Sequence, residues 1–159
     1  MISTIITDFG RVILQPIDET YHGELNPLHR RLSRLPGYDL HEHFRLDYDI
    51  LRYFCGFKSK YGLHIYTNGT IHDEPCFRPQ IEAIFDGIHS AETIGVSKRN
   101  PQGYMNLAQL IGTEPSQIIF IDDAPGNVAA ARAAGLMGIR YVSLEQLAHD
   151  VEAQLDFYR

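Results

Sequence analysis

The chain has 159 residues, 44% of them apolar and 11% aromatic, with a formal charge of −6 at neutral pH. That length fits one domain with room for a small insertion, and that apolar fraction is enough to bury a core. The acidic balance, relieved only by the small group Arg30, Arg31 and Arg34, speaks against a nucleic-acid partner, and no apolar run approaches the roughly 20 residues of a membrane span.

Residues 2–7 are β-branched and predict a buried strand, broken by a turn at Phe9-Gly10-Arg11. The segment 14–46 is different in kind. It carries Pro16, Pro27, Pro36 and many charges, and reads as a small, mostly helical insertion. Asn26 before Pro27 predicts a helix start there, with Asn as cap, and Leu28, Leu32 and Leu35 follow at helical spacing until Pro36-Gly37 stops them. Arg30, Arg31 and Arg34 then form a solvated helix face.

Asp47 predicts the cap of a helix over 48–61, with Ile50, Leu51, Phe54 and Phe57 on one face and Gly62 at its end. A strand over 63–67, a helix over 77–85 and a short third strand over 90–95 come next. Pro101 to Ile111 predicts a helix stopped by Gly112. A strand at 117–122, an Ala-rich helix at 125–134, a strand at 138–142 and a closing helix from Leu144 to about Phe157 complete the chain. Strands alternating with helices predict an α/β, Rossmann-like three-layer fold: a five-stranded parallel sheet with helices on both faces. The corresponding domain division is a core of residues 1–13 and 47–159 with a short cap of residues 14–46 inserted after the first strand.

Only Cys55 and Cys76 are present, with no CxxC or Cys/His metal spacing. Both are expected to be reduced and partly buried, as in a cytoplasmic protein. The first residues show no basic-then-apolar leader pattern, so no signal peptide is expected. His41-Glu42-His43 has two imidazoles only two residues apart and no third ligand, and reads as a solvated helix end.

The chemistry gathers at strand ends. Asp8 closes the first strand, Thr67 the second and Asp122-Asp123 the fourth, while Lys98 follows the short third one. Open α/β sheets bind ligands just beyond the carboxyl ends of their strands. Carboxylates, a hydroxyl and an ammonium collected there make a site for a metal ion and a phosphate. The adjacent pair Asp122-Asp123 repels itself unless a cation intervenes. Asp8 follows an apolar run where an unpaired acid is costly.

The four segments Thr7-Asp8-Phe9-Gly10-Arg11-Val12, Tyr66-Thr67-Asn68, Lys98 within 95–101, and Ile121-Asp122-Asp123-Ala124-Pro125-Gly126-Asn127 occur in this order. In this the chain resembles the haloacid dehalogenase-like superfamily of phosphohydrolases, from Ile2 to about Val142. The resemblance implies that Asp8 is the nucleophile, forming an aspartyl-phosphate, and that Mg2+ is held by Asp8, the Gly10 carbonyl and Asp123, with Asp122 as a further candidate ligand. Asp122 stands where relatives carry either a second acid or a glycine, and Asn127 would act behind the ligands. Thr67, Asn68, Gly69 and Lys98 would hold the phosphate, with Lys98 also neutralising Asp8, and Arg11 would either touch phosphate or extend to solvent.

One residue departs from the family pattern. Most of its phosphatases carry an Asp at the position of Gly10, as general acid and base, whereas some sugar phosphatases resemble this chain in having Asp-x-Gly-x-Val. The proton donor is therefore open between Asp18, Glu19, His22, a water and the substrate itself. The resulting expectation is Mg2+-dependent hydrolysis of a small phosphomonoester, with a sugar phosphate as one candidate, by a cytoplasmic monomer or homodimer that binds neither nucleic acid nor membrane. The alternatives are a non-catalytic or weakly active member that binds a phospholigand or a protein, and a dehalogenase-type hydrolase working without metal.

Overall fold

A computed structural model describes residues 1–157. Its centre is a parallel five-stranded sheet of β1 (Thr4–Thr7), β4 (Gly62–Thr67), β5 (Gly87–Ser90), β6 (Ile118–Asp122) and β7 (Met137–Arg140), in the order β5-β4-β1-β6-β7. Successive side chains on a strand point to opposite faces, so a strand covered on both sides must be apolar throughout. Strand β6 meets that demand from Ile118 to Ile121 and ends on the buried carboxylate of Asp122. Ile5, Leu63, Ile65, Ile119 and Ile121 belong to one core, packed with residues of α2 (Tyr48–Cys55), α3 (Arg78–Glu82) and α7 (Leu144–Phe157). Ile6, Tyr66 and Phe120 belong to the other, with Tyr104 and Leu107 of α5 (Pro101–Ile111) and Ala130 and Ala131 of α6 (Pro125–Ala133). Among the described residues no helix is long and apolar enough to cross a membrane.

The chain steps from β1 outward through β4 to β5, then returns to the far side of β1 to lay down β6 and β7. The connections therefore diverge between β1 and β6, which opens a crevice above their carboxyl ends. In register, Thr7 pairs with Ile121 across that seam and with Ile65 on the other side. Asp8, Asp122 and Asp123 leave the sheet on either side of the seam.

Segment 14–46 carries α1 (Leu25–Leu32) and also two short strands that were not expected, β2 (Leu14–Pro16) and β3 (Phe44–Leu46), which pair antiparallel. Helix α1 begins two residues earlier than expected. Glu24 occupies the cap position without a side-chain hydrogen bond, and Asn26 lies inside the first turn. Arg30, Arg31 and Arg34 are exposed, and so is His41. His43 stacks on Tyr38 at 5.5 Å between ring centroids.

Asp47 caps α2 as expected, accepting from the amides of Asp49 and Ile50, but the helix ends at Cys55 and Gly62 opens β4. The expected strand over 90–95 is displaced. The strand is Gly87–Ser90, and Ala91–Ile94 forms a single helical turn, α4, capped by the Ser90 hydroxyl. Cys55 is exposed rather than partly buried, and Cys76 is half-buried.

Candidate active site

Lys98 organises the site. Its side chain is 1% exposed, and Nζ lies 2.7 Å from Asp122 Oδ2 and 3.0 Å from Asp8 Oδ1. Nζ also stands 5.4 Å from the Tyr66 ring centroid and 5.5 Å from that of Phe120, where ring faces attract a cation. The Tyr104 hydroxyl donates to the Lys98 carbonyl at 2.8 Å, which fixes the backbone at the base of this long side chain. Burial by itself would lower the Lys98 pKa, but Asp8 and then Asp122 more than offset it, so the ammonium is held charged.

Asp122 is completely buried and its oxygens are occupied. Oδ1 accepts from the Ala124 amide at 2.8 Å, and Oδ2 accepts from Asn127 Nδ2 at 3.1 Å besides facing Lys98. The Ala124 amide opens helix α6, so Asp122 also ties down that helix start, a task its own cap residue leaves undone. Asp123 shows the opposite picture. It is half-buried, it lines the cavity, and burial followed by the neighbouring Asp122 charge raises its pKa.

Asp8 sits between them. Its Oδ1 accepts from the Phe9 amide at 2.7 Å and from Lys98. Burial pushes its pKa up to about 7, against the lowering effect of Lys98, and the Asp122 charge adds to the rise. One ammonium does not compensate three clustered carboxylates. Asp8, Asp122 and Asp123 each offer an oxygen, all within 4.8 Å of one another. An all-oxygen, charge-deficient set of this kind suits a hard divalent cation.

Above these groups lies a cavity of about 230 Å³. Asp8, Gly10, Arg11, Thr67, Asn68 and Lys98 line it from the sheet side, Asp123 and Asn127 from β6 and α6, and His22 to Asn26 from the insertion. Residues 43–135, more than half of the chain, match the model of a hydrolase family, the haloacid dehalogenase-like hydrolases. The chain belongs to that family.

Solved structures of haloacid dehalogenase-like hydrolases share its fold. A predicted family member from Porphyromonas gingivalis superposes with a TM-score of 0.70 at 19% identity, over 98% of both chains. A family enzyme from Bacteroides thetaiotaomicron, solved with magnesium and inorganic phosphate, gives 0.65 at 11% identity over 91% of this chain and 96% of that one. Among curated proteins, the enolase-phosphatase E1 of Streptomyces avermitilis is 34% identical over 85 residues, 49% of this chain and 35% of its own length. The Pseudomonas fluorescens protein of the same name is 36% identical over 84 residues, 50% of this chain and 36% of its own. The chain thus matches little more than a third of these relatives' lengths.

The structure of this haloacid dehalogenase-like hydrolase brings eight of the residues singled out in the sequence to one cavity wall: Asp8, Gly10, Arg11, Thr67, Asn68, Lys98, Asp123 and Asn127. Asp122 lies behind them through Lys98 and Asn127. Gly69 is set apart. The Asn26 side chain lies against it so closely that a β-carbon at 69 would fall 2.3 Å from Asn26 Oδ1, and Gly69 does not line the cavity. Arg11 is half-buried and engaged: it donates to the carbonyls of Tyr21 and Gly23 in the insertion. Tyr66, Tyr104 and Phe120, which seat Lys98, were missed. Their signal was position, since Tyr66 precedes Thr67 and Phe120 lies on the same strand as Asp122, facing the same side.

Proposed function

We propose that this protein hydrolyses a small phosphomonoester through an aspartyl-phosphate on Asp8, with Mg2+ as cofactor. The observation that carries the reading is the placement of Asp8. One of its oxygens is committed to Lys98 and the Phe9 amide, and the same carboxylate shares the cation-type oxygen cluster with Asp123 at the floor of the cavity. Asp8, Asp123 and the Gly10 carbonyl would hold the ion. When bound, it would neutralise an anionic phosphate as the carboxylate approaches.

The chain's own residues supply the rest. Lys98 draws charge from both Asp8 and the transferring phosphoryl group, and Thr67 and Asn68 offer donors to phosphate oxygens. An Asp8 oxygen bonds to phosphorus as the ester oxygen departs, and water then cleaves the acyl phosphate to return the carboxylate. The small cavity suits a compact substrate. We read residues 14–46 as a cap over a core of 1–13 and 47–159, because its residues 22–26 wall the cavity from above. The names of the curated relatives and the magnesium and phosphate in the Bacteroides thetaiotaomicron enzyme support this reading.

The test is a panel of one aryl phosphate and several alkyl and sugar phosphates, with and without Mg2+, run on the wild type and Asp8→Asn. Mg2+-dependent release of phosphate, lost in Asp8→Asn, is expected. Failure to turn over any ester while Mg2+ binds would leave a phospholigand-binding protein. Halide release from a haloacid without metal would leave a dehalogenase.

A further inference from the structure

Gly10 leaves the phosphatase reading without a proton donor, and the structure shows what occupies that ground. A β-carbon at position 10 would meet Leu25 Cδ1 at 3.8 Å, and Leu25 is a buried residue of helix α1. The cap thus reaches ordinary van der Waals contact with the position from which an acidic side chain would reach the leaving group.

The titratable groups on the cavity wall can be taken in turn. Asp8 and Asp123 belong to the nucleophile and the cation cluster, and Lys98 is engaged between Asp8 and Asp122. Arg11 and Arg99 carry guanidinium groups, which do not give up protons in proteins. Asp18 and Glu19 do not line the cavity, and Asp18 is turned back to accept from the Thr20 amide and hydroxyl. His22 and Glu24 remain. In water a carboxylic acid loses its proton well below neutrality, whereas an imidazole exchanges its proton near it, so imidazole is the better donor type at neutral pH.

The backbone on either side of His22, an exposed residue, is held in place. The carbonyls on either side of it, of Tyr21 and Gly23, both accept from Arg11 Nη2, the first at 2.8 Å. The Arg11 guanidinium lies 5.7 Å from the Tyr21 ring centroid, and the Tyr21 hydroxyl donates to the Glu24 carbonyl at 3.0 Å. Arg11 reaches this loop from a left-handed backbone at φ 66°, a conformation that a side chain other than Asn, Asp or Gly rarely adopts. The turn that carries the nucleophile therefore grips the cap loop on both sides of one imidazole.

Resting on the phosphatase reading above, we infer that His22 is the catalytic acid that replaces the missing group at position 10, and that Arg11 is its positioning residue. As the P–O ester bond breaks, its electron pair goes to the ester oxygen and the His22 imidazolium gives that oxygen its proton, releasing the alcohol. The neutral imidazole then takes a proton from the water that attacks the phosphorus of the aspartyl-phosphate. The bond from phosphorus to the Asp8 oxygen breaks, and inorganic phosphate and the carboxylate are left.

The test compares kcat/KM on an aryl and an alkyl phosphate for the wild type, His22→Gln, Glu24→Gln and Arg11→Met. An aryl oxide leaves without protonation and an alkoxide does not. His22→Gln should therefore lose roughly 10²-fold or more on the alkyl ester and little on the aryl ester. Arg11→Met should show the same substrate split in weaker form. Equal losses on both esters, an unchanged alkyl rate, or a split that appears in Glu24→Gln instead would overturn the assignment. Wild type active on the aryl ester alone would overturn it while leaving the phosphatase intact. Imidazole NMR gives a readout free of turnover: adding inorganic phosphate with Mg2+ should shift the His22 ring signals, and unmoved signals would overturn its placement even where no ester is hydrolysed.

Discussion

Lys98 Nζ lies closer to Asp122, at 2.7 Å, than to Asp8, at 3.0 Å. The carboxylate that the ammonium grips most tightly is the fully buried one, and the one it grips less tightly faces the cavity. The neighbouring acids Asp122 and Asp123 thus have separate tasks. Asp122→Ala removes a partner of Lys98 and leaves the Ala124 amide and Asn127 unpaired, and is expected to cost about 3–5 kcal/mol of stability. Asp123→Ala is expected to leave metal-free stability unchanged or raised. Urea denaturation in a chelator separates the two, and equal losses would contradict the division.

Addition of Mg2+ is expected to raise the melting temperature of the wild type, because an ion that binds only the folded state stabilises it by about 2.7 kcal/mol at 100 times its Kd. Asp123→Ala should abolish that rise. A rise of the same size in the variant would place the ion elsewhere.

The raised pKa of Asp8 makes a statement about pH. Its folded value, about 7, stands above the ordinary carboxylate value of 3.8. The folded state therefore holds this proton more tightly than the unfolded state, and the associated stability is present below about pH 4 and lost as pH rises through 7. Asp8→Asn removes the ionised form. Without metal, the variant should match the wild type near pH 4 and exceed it by roughly 1–3 kcal/mol at pH 8. A variant less stable than the wild type at pH 8 would contradict the buried, charge-deficient cluster.

The sequence made the strands beside the site legible for a physical reason. Residues 118–121 are apolar on both faces, as the body of a central strand must be, and 101–111 is framed by an Asn100 cap, Pro101 and Gly112. The third strand was misplaced because Gly87-Ile88-His89-Ser90 is an edge strand with one neighbour and only a half-buried surface, which needs little apolar patterning. Ala91–Ile94, richer in apolar residues, drew the strand prediction instead. The pair β2 and β3 escaped because three residues are too few to show a period. Asn26 looked like a helix cap, but its side chain is used against Gly69, a contact between residues far apart in sequence. The acidic cluster was readable because each member ends an apolar strand. The aromatic seat of Lys98 was not, because Tyr66, Tyr104 and Phe120 look like ordinary core until Lys98 is placed over two of their rings.

Tyr104→Phe deletes only the hydroxyl that holds the Lys98 carbonyl. It should cost about 1 kcal/mol and lower kcat on a phosphate ester with KM little changed, since the ammonium loses its fixed base and the cavity wall is untouched. A KM effect without a kcat effect would show that Tyr104 acts on the cavity instead.

Asp47→Ala removes the cap that accepts from Asp49 and Ile50. It should lower stability by about 1 kcal/mol and leave kinetic constants at wild-type values, as measured by thermal melts and initial rates. Asp47 is thus a control for stability losses that have no bearing on the site.

The strand pair Leu14–Pro16 and Phe44–Leu46 joins the outgoing and returning paths of segment 14–46. Further bonds extend it, from the Asp47 amide to the Ile13 carbonyl at 2.7 Å and from the Ile17 amide to the His43 carbonyl at 2.9 Å. A lid on two separate tethers can swing as one body about its hinges; here the tethers are zipped into a single stem, which resists such swinging. Access to the cavity is then expected to depend on the short arc between Asp18 and Glu24 rather than on movement of the whole of segment 14–46. Exchanging that arc between related chains should change which molecules enter while the stem, and the placement of Asp8 beneath it, stays put.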